Sequence, residues 1–367
     1  MHDSGPLREA DRLMTICNAC RYCEGLCAVF PAMEMRRSFL DSDLTYLANL
    51  CHQCGACYAG CQYAPPHEFA VNVPLALAQL RKETYQTHVW PAAVAAVFDR
   101  NGLAVALVTA LCVAAFLIGF AAWTDPAALF GRNSGPGAFF AVMPHTAMVA
   151  LFGGVSLYVI AASALSLRAY WRKINADAPA AGAAAIWQAI VDTGSLRYLD
   201  GGGGGCAPDP GEPTGHRRLF HHLTFYGFLL CFAATTTATF FHYALGWIGP
   251  YPATSLPVIL GSLGGVGLLI GPAGLVLARR RNAAIADPAQ SGMNLAFIVM
   301  LFLTSLTGFL LLLFRGTAAM GTLLAIHLGI VLGLFVSLPY GKFVHGLYRV
   351  LSLAKYAAER RDPPGKA

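Results

Sequence analysis

Eight cysteines in the first sixth of the chain fall into two runs of one pattern, Cys17-x2-Cys20-x2-Cys23-x3-Cys27 and Cys51-x2-Cys54-x2-Cys57-x3-Cys61. Three thiolates in one tight loop can wrap a corner of an iron–sulfur cubane, and the fourth must arrive from elsewhere. The doubled run therefore predicts two [4Fe–4S] clusters and one-electron chemistry. Zinc also uses C-x2-C knuckles, but it pairs two knuckles and leaves the third and fourth cysteines of each run without a task.

Two-cluster ferredoxins exchange the last cysteine of each run. On that pattern one cluster takes Cys17, Cys20, Cys23 and Cys61, and the other takes Cys27, Cys51, Cys54 and Cys57. The usual proline after the fourth cysteine is absent; Pro31 and Pro65 stand four residues beyond Cys27 and Cys61. Cys112 and Cys231 lie in apolar runs, where cysteine behaves as a small hydrophobe, and Cys206 follows a glycine run.

Histidines form the second group. An ionisable residue within a membrane span is costly and so is a functional candidate. His327 and His345 are 18 residues apart, five turns or about 27 Å along a continuous helix, although Pro339 can disturb the phase. His221 and His242 are 21 residues apart, nearly six turns or about 31 Å; the adjacent His222 is out of phase with His242. Antiparallel packing of the third and sixth apolar runs would set His221 level with His345 and His242 toward His327. Such pairs suit the axial sites of one or two b-type haems. The bland alternative is interfacial histidine at the ends of spans. His145 has no phased partner and, with His222, is a reserve ligand. His52, His67 and His88 read as structural or solvent-facing.

The elements that must position these groups follow from hydropathy. The chain has 367 residues, 56% hydrophobic and 12% charged, with a mean hydropathy of +0.54. A soluble domain is about one quarter charged. Six apolar runs, roughly 102–123, 139–167, 219–245, 254–278, 293–314 and 318–338, each approach or exceed the ~20 residues that span a bilayer. Arg168, Arg172, Lys173, Arg217, Arg218, Arg279, Arg280, Arg281, Lys342, Arg349, Lys355, Arg360 and Arg361 fall on the cysteine side of a six-span topology; the opposite side has chiefly Arg132 and Arg315. By the positive-inside rule the cysteine head and the C-terminus are cytoplasmic. No signal peptide is read at the polar start of the chain, so the thiols are expected to stay reduced. The net charge of +6 serves membrane topology, with no nucleic-acid binding implied.

The expected fold is all-α. Residues 1–100 form a helical two-cluster ferredoxin-like head, with one helix at 43–50 capped by Asp43 and another at 73–81 begun by Pro74. Residues 101–350 form a six-helix transmembrane bundle of the nitrate-reductase gamma-like haem b type. The segment 174–216, with five glycines at 201–205, reads as a flexible loop, and 351–367 as a cytoplasmic tail. The glycines of Gly261–Gly267 and Gly271 in the fourth span serve close helix packing. No nicotinamide, flavin or phosphate-binding fingerprint and no nucleophile triad is present, so no catalytic residue for substrate chemistry is assigned.

The doubled cysteine motif, the segment Arg217-Arg-Leu-Phe-His221-His-Leu-Thr-Phe-Tyr-Gly-Phe228 with Cys231-Phe-Ala-Ala-Thr235, and Leu338-Pro-Tyr-Gly-Lys342-Phe-Val-His345 resemble the tricarballylate utilization protein B / citrate utilization protein B family. The likeness extends over nearly the whole chain. Its membrane half is similar to haem-b subunits of the nitrate-reductase gamma and heterodisulfide-reductase type, which implies haem ligation by His221, His242, His327 and His345. The resemblance also implies a partner, a soluble FAD-dependent dehydrogenase that oxidises tricarballylate to cis-aconitate, with the quinone pool of the bacterial cytoplasmic membrane as acceptor. The rival reading is a citrate or tricarballylate transporter with a redox-sensing head. Against it stand the few midplane charges and the lack of a half-to-half repeat.

Overall fold

The computed structural model describes residues 2–175, 181–199, 201, 216–280 and 283–362, and among these every regular element is helical. The head contains α1 (Gly5–Cys20), α2 (Val29–Glu34), α3 (Asp41–Leu50), α4 (Ala56–Ala59) and α5 (Val73–His88). Local chemistry sets their starts. Ser4 accepts from the Leu7 amide to open α1, and Asn72 accepts from the Leu75 amide to open α5 with Pro74 in its first turn. The α3 helix begins two residues before the expected Asp43. That carboxylate lies in the first turn and accepts from the Leu40 amide.

Six helices are long and apolar enough to cross a membrane. They are α6 (Asn101–Trp123), α8 (His145–Ile174), α10 (His216–Leu245), α11 (Leu256–Arg280), α12 (Ser291–Phe314) and α13 (Met320–Ser337), the last running on toward the final helix. The short α7 (Pro126–Phe130) lies between the first two. These helices coincide with the six apolar runs. Their large side chains, such as Leu111, Ile118, Leu157, Ile160, Leu263 and Leu313, face outward, as lipid contact requires.

Neighbour choice differs from expectation. The third span, α10, packs chiefly on α11, while α13 packs on α6 and α12. Glycine contacts explain this. A Cβ on Gly264 would stand 2.7 Å from the Gly227 carbonyl oxygen, and one on Gly329 would stand 2.5 Å from Val113 Cα. Both seams let backbones approach until only hydrogen fits, the small-residue packing of membrane helices. Each fixes a partner other than the α10–α13 pair.

Two further differences lie on the head side. Within the segment read as a loop, α9 (Ala183–Gly194) is helical. Its alanines favour helix intrinsically, and Ala185 and Ala189 are buried as α9 packs on α14 (Val344–Arg361). Residues 202–205 of the glycine run and Cys206 lie outside the described residues. The expected tail, 351–367, belongs through Arg361 to α14, which begins before the 350 boundary. A 3-10 turn at Leu338–Tyr340 and extended Gly341 separate it from α13, so the helical phase between His327 and His345 is broken at Pro339.

The α14 helix is built into the head. Arg36 bonds Glu359 at 2.5 Å and Asp43 at 2.6 Å, and the Tyr46 hydroxyl donates to Glu359 at 3.1 Å. Tyr170 of α8 meets Ser352 at 2.6 Å, and Lys355 donates to the Ile174 carbonyl. Leu13, Phe30, Met33, Leu44, Leu47 and Leu77 share one apolar core with Tyr170, Tyr348, Leu353 and Tyr356. The head is thus fused to the bundle rather than tethered to it.

Candidate functional site

The first cysteine run leaves the C-terminus of α1. Arg21 caps that helix in the left-handed region, φ 56°, and its amide bonds the Cys17 carbonyl at 2.8 Å. The second run leaves α3 at Cys51 and turns at Gln53 (φ 53°) and Gly55 (φ 89°) into α4. These reversals bend the chain around two cavities. Cys17, Cys20, Cys23 and Cys61 line one, and Cys27, Cys51, Cys54 and Cys57 line the other, with Cys57 bordering both. The last cysteine of each run is therefore carried across to the other.

Burial first, then repulsion from Cys23, Cys61 and Cys20, pushes the Cys17 thiol up to about 12. Burial with Cys61 and Cys20 pushes Cys23 up to about 11. Burial and neighbouring thiols likewise raise Cys27 and Cys57. Such groups become thiolates together only with a strongly positive centre among them. The all-sulfur donor sets, adjoining at Cys57, fit cubanes. Among the described residues, no group of three or more His, Cys, Asp or Glu is arranged to hold a single metal ion.

The cavities differ in setting. Beside the first, which we call the outer site, Tyr22 is 73% exposed. At the second, the inner site, Cys51 is 7% and Cys54 8% exposed. The Cys51 carbonyl accepts from Arg81 at 2.8 Å and from Arg349 at 2.7 Å, and the Gln53 amide donates to Cys51 Sγ at 3.3 Å.

His52 and Gln53 form a wall between the inner site and a larger cavity of about 410 Å³ at the head end of the bundle. Of the two readings of His52, structural or solvent-facing, burial leaves the structural one, and its Nδ1–H donates to the Leu50 carbonyl at 3.0 Å. Burial, then the Arg349 charge, holds it well below the usual imidazole range, so the ring is neutral. Beyond this wall the rings of His221 and His345 stand 6.2 Å apart, centre to centre, inclined at 72°. Two imidazoles bonded at about 2 Å to opposite faces of one metal ion have ring centres about 6 Å apart. His345 Nδ1–H donates to the Lys342 carbonyl, which leaves Nε2 with its lone pair. Phe225, Phe228, Phe297 and Phe343 line the same cavity, as do Arg81, Arg217 and Arg349. Facing imidazoles, apolar walls and nearby cations fit a haem with its two propionates.

The other histidines are placed differently. His242 stacks on His145, with ring centres 4.1 Å apart and planes within 22°, beside Phe140 and Tyr243. His327 instead meets Thr307 Oγ1 through Nδ1 at 2.9 Å. The structure thus does not bring His242 to His327, because α10 and α13 lean on different neighbours. His222 lies by Tyr226, ring centres 5.9 Å apart, and the choice between the adjacent histidines at this cavity falls on His221.

In the sequence, no motif marks His52 as part of a site, and Arg217 and Arg349 stand out only as topology signals. One usable signal was present. Arg217 precedes His221 by four residues and Arg349 follows His345 by four, which sets a cation one helical turn from each histidine.

A family model described as citrate utilization protein B matches residues 97–366, and one described as the citrate utilization protein B Fer4-like domain matches residues 10–87. The citrate utilization protein B of Escherichia coli is 49% identical over 358 residues, 97% of this chain and 93% of that protein. No solved structure matches the chain.

Proposed function

The chain belongs to the citrate utilization protein B family, and from that premise we propose that it is a membrane electron-transfer subunit. In this reading it reoxidises a partner FAD-dependent tricarballylate dehydrogenase and passes the electrons through two [4Fe–4S] clusters and haem b to the quinone pool. The observation that carries the proposal is contiguity. Two cysteine-lined cavities adjoin at Cys57, and one shares the wall of His52 and Gln53 with the cavity of the paired histidines.

Cys17, Cys20, Cys23 and Cys61 would hold one cluster, and Cys27, Cys51, Cys54 and Cys57 the other; His221 and His345 would hold the haem iron. When bound, these groups supply one-electron steps that divide the two-electron oxidation of a flavin. The protein's own part is placement and insulation. The Tyr22 side leaves the outer site open to a soluble redox partner. Arg81 and Arg349 pin the Cys51 loop against the membrane cavity. His145 and His242 are a second pair that could hold a haem iron, and their stacked rings would have to separate to about 6 Å to admit it. The excess of Lys and Arg at the head end supports a cytoplasmic head, where such a dehydrogenase would dock.

Mixing the purified, oxidised protein anaerobically with the reduced flavoprotein tests this. Bleaching of the cluster absorption and appearance of a reduced b-type α-band are expected, with reoxidation by a quinone analogue. Uptake of labelled citrate or tricarballylate into vesicles containing this chain alone, without such spectral change, would favour the transporter reading and reject ours.

A further inference from the structure

The membrane cavity holds an imbalance of charge. Arg81, Arg217 and Arg349 all line it, and among the described residues none of the three makes an ion pair with a carboxylate. Their hydrogen bonds go elsewhere. Arg81 serves the carbonyls of Ala48 and Cys51 and the Gln53 side chain. Arg217 serves the carbonyls of Gln53 and His52. Arg349 donates one Nη2 hydrogen bond to the Cys51 carbonyl at 2.7 Å. Among the described residues the one acid on the cavity wall, Asp287, is occupied by the Gln290 side chain and the Ala289 amide.

Arg349 differs from the other two in one respect. Its Nε is buried from solvent and has no hydrogen-bond partner among the described residues. A buried, charged donor left unpaired costs the full desolvation of that group. A carboxylate inside the cavity would remove that cost and supply the missing negative charge. His345 lies one turn before Arg349 on the same helix, so the two side chains are neighbours on one face and both line the cavity that His221 enters.

We infer that Arg349 is the anion clamp of this cavity, with Nε taking a propionate carboxylate of the haem held by His221 and His345 while Nη2 holds the Cys51 carbonyl. The inference rests on the haem reading above. One side chain then grips both sites, and the distance between the haem edge and the inner cysteines is set by a rigid, planar group. Lysine keeps the charge but lacks the planar fork, so it can serve one of the two contacts at a time.

The test uses Arg349→Gln and Arg349→Lys in the full-length protein. The readouts are haem per chain, the rate of haem transfer to apomyoglobin, the haem midpoint potential and the cluster EPR signals. Losing a charge-assisted hydrogen bond should speed haem transfer roughly tenfold or more in Arg349→Gln, with Arg349→Lys in between. The midpoint potential should fall in Arg349→Gln, because an unneutralised propionate favours the ferric state. The cluster signals should persist, since Arg81 still holds the Cys51 carbonyl at 2.8 Å. Wild-type transfer rate and potential in a haem-bearing Arg349→Gln protein would overturn the inference. So would loss of the cluster signals with haem unaffected, which would make Arg349 a structural strut. Arg349-dependent binding of free citrate with unchanged haem retention would assign the carboxylate to another ligand and overturn it equally. A wild-type protein without haem would refute the underlying reading first, and this inference with it.

Discussion

The two cysteine runs have the same spacing, yet the structure gives them different surroundings. The outer cavity lies beside the exposed ring of Tyr22, whereas the inner one is closed over Cys51 and Cys54, crossed by two arginines and backed by His52. The difference teaches that direction is set by environment rather than by ligands. One site borders an exposed ring, where the proposed soluble partner would dock, and the other shares a wall with the larger cavity.

The sharpest way to break this comparison is to remove a ligand from each side in turn. Cys20→Ser should abolish the outer cluster's EPR signal and Cys54→Ser the inner one's. In the Cys54→Ser protein, haem reduction by the flavoprotein should fall to background although the outer site is still reduced. Continued rapid haem reduction would show that the inner site is not on the route. Next in size is oxidant sensitivity. Ferricyanide in excess should destroy the outer cluster several-fold faster than the inner one, followed by EPR at timed intervals; equal rates would erase the distinction.

The inner site also owes its closure to α14, anchored by Arg36 and Glu359, whose side chains are 8% and 7% exposed. Desolvation opposes the charge on Arg36, but the Glu359 and Asp43 carboxylates prevail and raise its pKa. Breaking a buried pair by removing one partner costs about 3–5 kcal/mol. Glu359→Ala should lower the head's stability on that scale, read by denaturant unfolding, and narrow the ferricyanide gap by loosening Arg349. The smallest effect is expected at His52. Its replacement by Leu should leave iron and haem content intact and slow cluster-to-haem transfer a few-fold in stopped-flow traces; an unchanged rate would reduce the ring to a packing role.

Much of this architecture was legible in advance. Six apolar runs mark the six long helices, the second with ends displaced by about two turns, and the doubled cysteine spacing marks the residues that line two adjoining cavities. The asymmetry between those cavities was hidden, because two runs of one spacing announce one setting, and only tertiary packing exposes Tyr22 in the first and buries His52 in the second. Helix neighbours were also hidden. Gly264 and Gly329 announce close approach, but a small residue does not name its partner, so His242 could not be matched with His145. The His327–His345 phase assumed a continuous helix, and the turn at Pro339 removes that premise. The α9 helix was masked by the Gly- and Pro-rich stretch that follows it, although its alanines alone favour helix.

The central claim is that this chain carries clusters and haem in adjoining sites, and metal stoichiometry with a redox spectrum of the purified protein tests it most directly. The account predicts about eight cluster irons per chain, four for each cubane, together with a b-type α-band that appears on reduction and is lost in His345→Ala. Zinc in place of iron at the cysteines, or a reduced-minus-oxidised spectrum with no haem band in the wild-type protein, would contradict it.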